Sequence, residues 1–364
     1  MRNYEVEKVQ RKKYYSSRSL SHITTTTMDS SGKKPDYYAN LPAPPEPGTP
    51  LLKEDVTVAL IQLASGSNKA ANLQNAREKV LAAAKEGGNI VVLPECFNSP
   101  YGTQYFDQYA EVLTPSPPSS DQSPSFAALS AMAKEAGVYL VGGSIPERES
   151  DSELQKRLSS SSSSSSPQTN EDDKKSRLYN TSLIFSPTGT LLSTHRKIHL
   201  FDIDIPHKIR FKESEVLSPG SHLTILDFPP YGRVAVAICY DIRFPELATI
   251  AARRGAFLLL YPGAFNLTTG ALHWELQARA RAMDNQVFVG LCSPARDMGA
   301  TYHAWGHSML VRPNAEVLGS LEEKEGTLIK KLEAGRIEEV RSGIPIVTQR
   351  RWDVYPDVSG VYGR

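Results

Sequence analysis

From Val56 onward, short apolar runs alternate with segments whose apolar positions recur at helical spacing. Val56–Leu63, Ile90–Pro94, Val138–Ile145 and Arg233–Ile238 are too short for core helices and rich in β-branched residues, so they read as strands buried on both faces. Asn72–Glu86 and Phe126–Ala136 carry the helical period, and the first stops on Gly87-Gly88. Leu178–Phe185 and Leu191–Arg196 predict a hairpin around Pro187-Thr-Gly189; Trp305–Val311 and Glu316–Ser320 predict another around Arg312–Ala315. Further strands are expected at Phe257–Tyr261 and Val287–Cys292, with helices after Pro245 and over Leu272–Asn285. Strands and helices in alternation define an α/β protein.

Two stretches fall outside this pattern. Residues 1–50 hold the run Thr24–Thr27 and a proline-rich Leu41–Pro50, and read as a disordered or targeting tail ahead of a domain over 51–364. The first 27 residues carry six Lys/Arg, two Glu and eight Ser/Thr, a weak match to a mitochondrial presequence, with Met28 as an alternative start. The apolar face is poor, so a tail is the first expectation and import the second. Between about 148 and 176, eight serines (Ser159–Ser166) sit among charged and amide residues; such a segment buries too little apolar area to offset its ordering entropy and reads as a disordered insertion.

Composition removes several function classes. The 364 residues carry a net charge of +1, which gives no electrostatic footprint for nucleic acid or an anionic membrane surface. Apolar runs are strand-sized, short of a bilayer span. Three cysteines, Cys96, Cys239 and Cys292, are odd in number and far apart, which fits a reducing compartment, the cytoplasm in the first instance. Without a CxxC pair or an HExxH motif there is little support for zinc, and no cofactor or metal is expected.

The candidate chemistry lies at the strand ends. Strand Arg233–Ile238 stops at Cys239, followed by a charged corner and then Pro245, Glu246 and an Ala/Leu/Ile-rich helix. A thiol there stands near a helix N-terminus, which favours the thiolate; an inert core cysteine is the alternative. Glu95 follows strand Ile90–Pro94, and Lys197 follows Leu191–Arg196. Groups at the carboxyl ends of neighbouring strands converge in one crevice of an α/β sheet. A cysteine nucleophile needs a base and a positive charge for the developing oxyanion, which a carboxylate and a lysine supply. His199 and His207 lie near Lys197, but no motif ties them to Cys239.

Leu93-Pro-Glu-Cys-Phe97, His195-Arg-Lys-Ile-His-Leu200 and Ala237-Ile-Cys-Tyr-Asp-Ile-Arg-Phe-Pro-Glu-Leu247 resemble the Glu, Lys and Cys motifs of the nitrilase superfamily of carbon–nitrogen hydrolases, in order and spacing. Cys96–Gly102, Leu140–Glu147, Phe201–Pro206 and Tyr261–Gly270 are similar to the omega-amidase branch. The resemblance implies a four-layer α-β-β-α sandwich and a homodimer. It assigns Cys239 as nucleophile, Glu95 as general base, Lys197 as oxyanion stabiliser and Glu213 as a further catalytic-site glutamate, with the Tyr240 backbone N–H at the oxyanion. The implied substrates are small amides, 2-oxoglutaramate and 2-oxosuccinamate, hydrolysed through a thioester. The free carboxylate of such a substrate needs a cation, and Arg243 is the candidate, because guanidinium binds carboxylate in a fork; the alternative is a structural ion pair with Asp241 or Glu246. Tyr101, Phe265 and Thr269 are candidate pocket walls, and Trp274, Glu275, Arg279 and Arg281 read as core and interface contacts. The rivals are an amidase for deaminated glutathione, a nitrilase, and a non-catalytic scaffold.

Overall fold

A computed structural model describes residues 41–161, 175–205 and 209–355. The tail calls on residues 1–40, Met28 included, His207, and the insertion's residues 162–174 lie outside the described residues. Leu41–Gln349 is one compact unit; of the other, only Arg350–Tyr355 is described, a turn in which Arg351 pairs with Asp353.

The strands sort into two sheets and a ribbon in nearly unbroken chain order. The first sheet holds β1 (Val56–Gln62), β2 (Ile90–Val92), β3 (Glu111–Val112), β4 (Tyr139–Val141), β5 (Ile145–Arg148), β6 (Leu178–Phe185) and β7 (Leu191–Arg196). The ribbon pairs β8 (Asp202–Ile205) with β9 (Ile209–Lys212). The second sheet runs in spatial order β10 (Thr224–Phe228), β11 (Gly232–Val236), β12 (Ala256–Pro262), β13 (Phe288–Cys292), β14 (Met309–Val311) and β15 (Val317–Ser320). The chain then returns to the first sheet as β16 (Gly326–Leu332), which pairs antiparallel along the whole of β1.

Alternation along the strands explains why the sheets stack. Val58 and Leu60 of β1, Ile90 and Val92 of β2, and Tyr139 and Val141 of β4 join the core shared with the second sheet. Their neighbours Ala59, Ile61, Val91 and Leu140 point the other way, against helices α1 (Lys69–Lys85) and α2 (Pro124–Ala136) through Ala76, Val80, Phe126, Leu129 and Met132. Each Val, Leu, Ile, Phe or Met side chain among them, removed from water, contributes about 1.5–3 kcal/mol. Helix α3 (Asp151–Ser161) follows β5. Helices α4 (Pro245–Arg253) and α5 (Leu267–Asn285) cover the second sheet with Leu247, Ala248, Ala251, Trp274, Ala278 and Ala282. Cys292 Sγ donates across the sandwich to the carbonyls of Ile61 and Val92, and burial raises its pKa, so this thiol is a core residue. The architecture is the four-layer α-β-β-α sandwich.

Three expectations change. The run Val138–Ile145 is two strands rather than one, broken at Gly142-Gly143-Ser144, where Gly143 adopts φ +58°. The stretch expected as a disordered insertion begins with α3, for which Asp151 and Glu153 supply first-turn acids and Glu149 pairs with Arg157. The end of the expected tail is seated on the body: Leu41 packs against the core, and Arg233 and Arg254 donate to the carbonyls of Ala43 and Pro42.

Candidate active site

The break between β4 and β5 builds the seat for Glu95. A Cβ on Gly143 would lie 2.0 Å from the Pro94 carbonyl oxygen, so only glycine lets this turn pass beneath the residue preceding Glu95. Ser144 Oγ accepts from Cys96 N–H at 3.0 Å and holds the other side of the turn, where Cys96 has φ +53°. Lys197 leaves β7 with its backbone N–H on Asn180 O (2.8 Å), and the Asn180 side chain donates to Glu95 Oε1 at 2.8 Å. Glu213 sits just past β9, at the start of a 3₁₀ turn (Glu213–Glu215). Cys239 opens the 3₁₀ turn Cys239–Arg243 after β11 with φ +47°, a left-handed conformation that a non-glycine residue adopts only under constraint.

These residues meet. Lys197 Nζ lies 3.2 Å from Glu95 Oε1 and 2.8 Å from Glu213 Oε1. Glu213 Oε2 accepts from Phe201 N–H (2.8 Å), and Glu95 Oε2 accepts from Ala264 N–H (2.7 Å). All four side chains, Glu95, Lys197, Glu213 and Cys239, are buried. Gly263, after β12, presses on the nucleophile turn: a Cβ there would stand 3.0 Å from Cys239 Cα. The convergence differs from the single crevice expected. Glu95 and Lys197 come from the first sheet, on strands that are not neighbours, whereas Cys239 comes from the second.

Burial tends to lower the Lys197 pKa, but the carboxylates of Glu213 and Glu95 outweigh it and hold the ammonium well above its ordinary value. Glu213 is raised, by burial and by Glu95, against the pull of Lys197. The Cys239 thiol is pushed well up, by burial first and then by Glu95, with Lys197 opposing. This corrects the expected thiolate. The resting group is a thiol, because a buried site with two carboxylates and one ammonium disfavours a further anion. The arrangement can therefore do one thing well: accept the thiol proton on a fixed carboxylate as sulfur attacks, with an ammonium already in place for the new negative charge.

The remaining candidates divide. Tyr101 is beside the carboxylates, its pKa raised by burial and then by Glu95, and its ring is 4.4 Å from that of Tyr302. Arg243 lies over the rings of Phe265 (4.9 Å) and Tyr240 (5.6 Å), with Nη1 3.2 Å from His273 Nδ1. Its proposed structural partner Asp241 is instead bound to His195 and His199. The Tyr240 N–H is in the first turn of its 3₁₀ segment, where backbone donors have no partner within the turn. Thr269 Oγ1 donates to Asn266 Oδ1 in the cap of α5, and Phe265 also packs edge-on against buried Trp274. Arg281 Nε donates to Ile242 O, a core contact, while exposed Arg279 pairs with Glu275.

Sequence reasoning missed Asn180 and Tyr302. Tyr302 donates to Ala264 O at 2.6 Å, and that residue's N–H is the one on Glu95. Its only mark in the sequence is an aromatic in a loop, and Asn180 is one of three consecutive polar residues, with Thr181 and Ser182, in a buried strand.

Fold and site together define a hydrolase of carbon–nitrogen bonds built around a cysteine. The carbon–nitrogen hydrolase family model matches residues 57–342, and the chain belongs to that family. Among its relatives, an omega-amidase of Saccharomyces cerevisiae is 46% identical over 312 residues, covering 85% of this chain and 98% of the relative. The Bos taurus omega-amidase is 49% identical over 298 residues, 82% of this chain and 96% of the relative. A hydrolase of Schizosaccharomyces pombe is 51% identical over 301 residues, 83% and 84%. The crystal structure of a Saccharomyces cerevisiae member of branch 10 of the nitrilase superfamily superposes with a TM-score of 0.70 at 43% identity, covering 84% of this chain and 99% of that one. Among the described residues, no helix is long and apolar enough to cross a membrane.

Proposed function

We propose that this chain is an omega-amidase, hydrolysing the terminal amide of short 2-oxo dicarboxylate monoamides such as 2-oxoglutaramate and 2-oxosuccinamate. Glu95 takes the Cys239 thiol proton as sulfur bonds to the amide carbon. The tetrahedral oxyanion forms against Lys197 and the Tyr240 N–H. The carbon–nitrogen bond breaks as Glu95 returns the proton, and ammonia leaves a thioester. Water, giving a proton to Glu95, attacks the thioester, and the acid and free thiol are released. Glu213 holds Lys197 as a second carboxylate on the same ammonium. Each proton transfer of this kind is worth roughly 10²–10⁴ in rate.

The observation that carries the substrate class is Arg243. It stands four residues past the nucleophile, seated on Phe265 and Tyr240, and among the described residues no carboxylate lies within ion-pair distance of it. A half-buried guanidinium of this kind is a ready receptor for a substrate carboxylate. The omega-amidase relatives support the same reading. Tyr101 and Phe265 wall the pocket, and Thr269 shapes its rim through the α5 cap. The protein acts as a homodimer: Leu272, Leu276 and Met283, 62, 63 and 56% exposed, share one face of α5, an apolar stripe that a second copy would cover. Three free, buried cysteines support a reducing compartment, the cytoplasm, with mitochondrial import through residues 1–50 as the alternative.

The test is ammonia release from 2-oxoglutaramate beside deaminated glutathione, a neutral short amide and a nitrile. Turnover of 2-oxoglutaramate that vanishes in Cys239→Ala supports the reading. Arg243→Ala should raise KM for 2-oxoglutaramate by ~10–100-fold, the value of a charge-assisted contact, and leave the neutral amide unchanged. Preference for deaminated glutathione would keep the nucleophile and discard the substrate; retained activity in Cys239→Ala would sink the mechanism.

A further inference from the structure

One carboxylate ties the two halves of the site together. Asp241, fully buried, accepts four hydrogen bonds. Oδ2 takes the Ile238 N–H at 2.9 Å and lies 3.3 Å from His195 Nε2; Oδ1 takes the His199 N–H at 2.8 Å and lies 2.8 Å from His199 Nδ1. Ile238 directly precedes Cys239. His195 and His199 stand two residues on either side of Lys197. The donors therefore come from the second sheet's nucleophile turn and from the segment of the first sheet that delivers the lysine.

Each donor is itself fixed. His195 Nδ1 is 3.0 Å from Thr224 Oγ1 on β10, so with Nε2–H toward Asp241 the ring accepts from the threonine hydroxyl. The His199 ring stacks on Phe244 at 3.6 Å and 10°. Within the same turn, the Ile242 carbonyl accepts from Arg281 Nε at 2.8 Å. Glu95 also links Lys197 to Cys239, but from within the reacting group itself; Asp241 does so through the backbone and side chains that flank both residues.

We infer that Asp241 is a positioning residue: through Ile238, His195 and His199 it sets where Lys197 Nζ stands relative to Cys239 Sγ, and holds the left-handed backbone at Cys239 that aims the Tyr240 N–H. This rests on the amidase reading of the site. A burial site chosen for stability alone would favour apolar packing over a lone carboxylate and two histidines. The cluster's value lies in fixing geometry, and a misplacement of about 1 Å at a reacting centre costs ~10²-fold in rate.

The test uses the full-length protein with Asp241→Asn, which keeps shape but turns one acceptor into a donor facing donors. Folded sites are counted by labelling Cys239 with iodoacetamide. Per labelled site, kcat should fall ~100-fold with KM within a few-fold of the parent. A purely structural role would lower the number of sites and the melting temperature but leave kcat per site intact, which would overturn the inference. If Asp241→Asn does not fold, His199→Ala and His199→Asn decide: Asn returns a side-chain donor to Oδ1 and should recover most of the kcat that Ala loses. Equal, parental kcat in both would also overturn it. Wild-type protein that releases no ammonia would overturn the amidase reading instead. The rate of Cys239 alkylation, expected to change in Asp241→Asn, would then judge the positioning role.

Discussion

Replacing Lys197 with Met tests the electrostatics at the centre of the site. In the parent, one ammonium bridges two carboxylates, Glu95 and Glu213, at 3.2 and 2.8 Å. Their facing oxygens are therefore no more than about 6 Å apart, and with the bridge removed two like charges at an effective dielectric of about 20 repel by about 3 kcal/mol. Breaking a buried pair in this way costs about 3–5 kcal/mol of stability. The site relieves the strain by taking up a proton, because the Lys197 charge that opposes the raised Glu213 pKa has gone. The sign follows from linkage. A carboxyl whose folded pKa lies above its unfolded value, about 4.3, contributes stability that is present at low pH and lost as pH rises through the folded pKa. Urea melts of parent and Lys197→Met should therefore show a stability gap that narrows from about pH 8 to about pH 5. Adding Glu213→Gln to Lys197→Met should recover part of the loss at the higher pH. A gap that is small, or the same at both pH values, would refute a shared, desolvated charge network.

Two other outcomes follow from the geometry around the nucleophile. Because burial and Glu95 push the Cys239 thiol up, the free enzyme should show no thiolate ultraviolet absorbance through the range where an ordinary cysteine ionises, around pH 8.5. A thiolate signal at neutral pH would mean the proton leaves before substrate arrives. Gly263→Ala places a methyl 3.0 Å from Cys239 Cα, so the turn must yield; kcat should drop by ~10–100-fold while the melting temperature moves little, measured by ammonia release and thermal melts.

Strands buried on both faces were the most readable part of the fold. β2, β12 and β13 are apolar throughout, and β1, β6 and β11 are mostly apolar with a few polar residues; together they form the interior of the two sheets. What escaped was the periphery. β16 is an edge strand and carries adjacent lysines, Lys330 and Lys331, one on each face, which interrupt its apolar run. The ribbon β8–β9 alternates Asp202, Asp204, Arg210 and Lys212 with apolar residues and belongs to neither sheet. At the site, Glu95, Lys197, Cys239 and Glu213 were legible from motifs, and the structure brings all four together. Asn180, Tyr302 and the His195–Asp241–His199 cluster were not, since each acts through a contact made only when distant segments meet. The thiolate expected from a nearby helix start failed for a related reason: burial and two carboxylates are properties of the assembled site, invisible at Cys239 alone.

The return of the chain to its first sheet has a consequence for biosynthesis. Glu95 and Lys197 are translated well before Cys239, yet β1, which flanks the strand that delivers Glu95, waits for β16 at residues 326–332 to cover its open edge. A nascent chain can hold base, lysine and thiol and still lack the finished sandwich that brings them into register. Competence thus waits for β16, the last strand among the described residues, and a product that ends before it lacks the strand that closes β1.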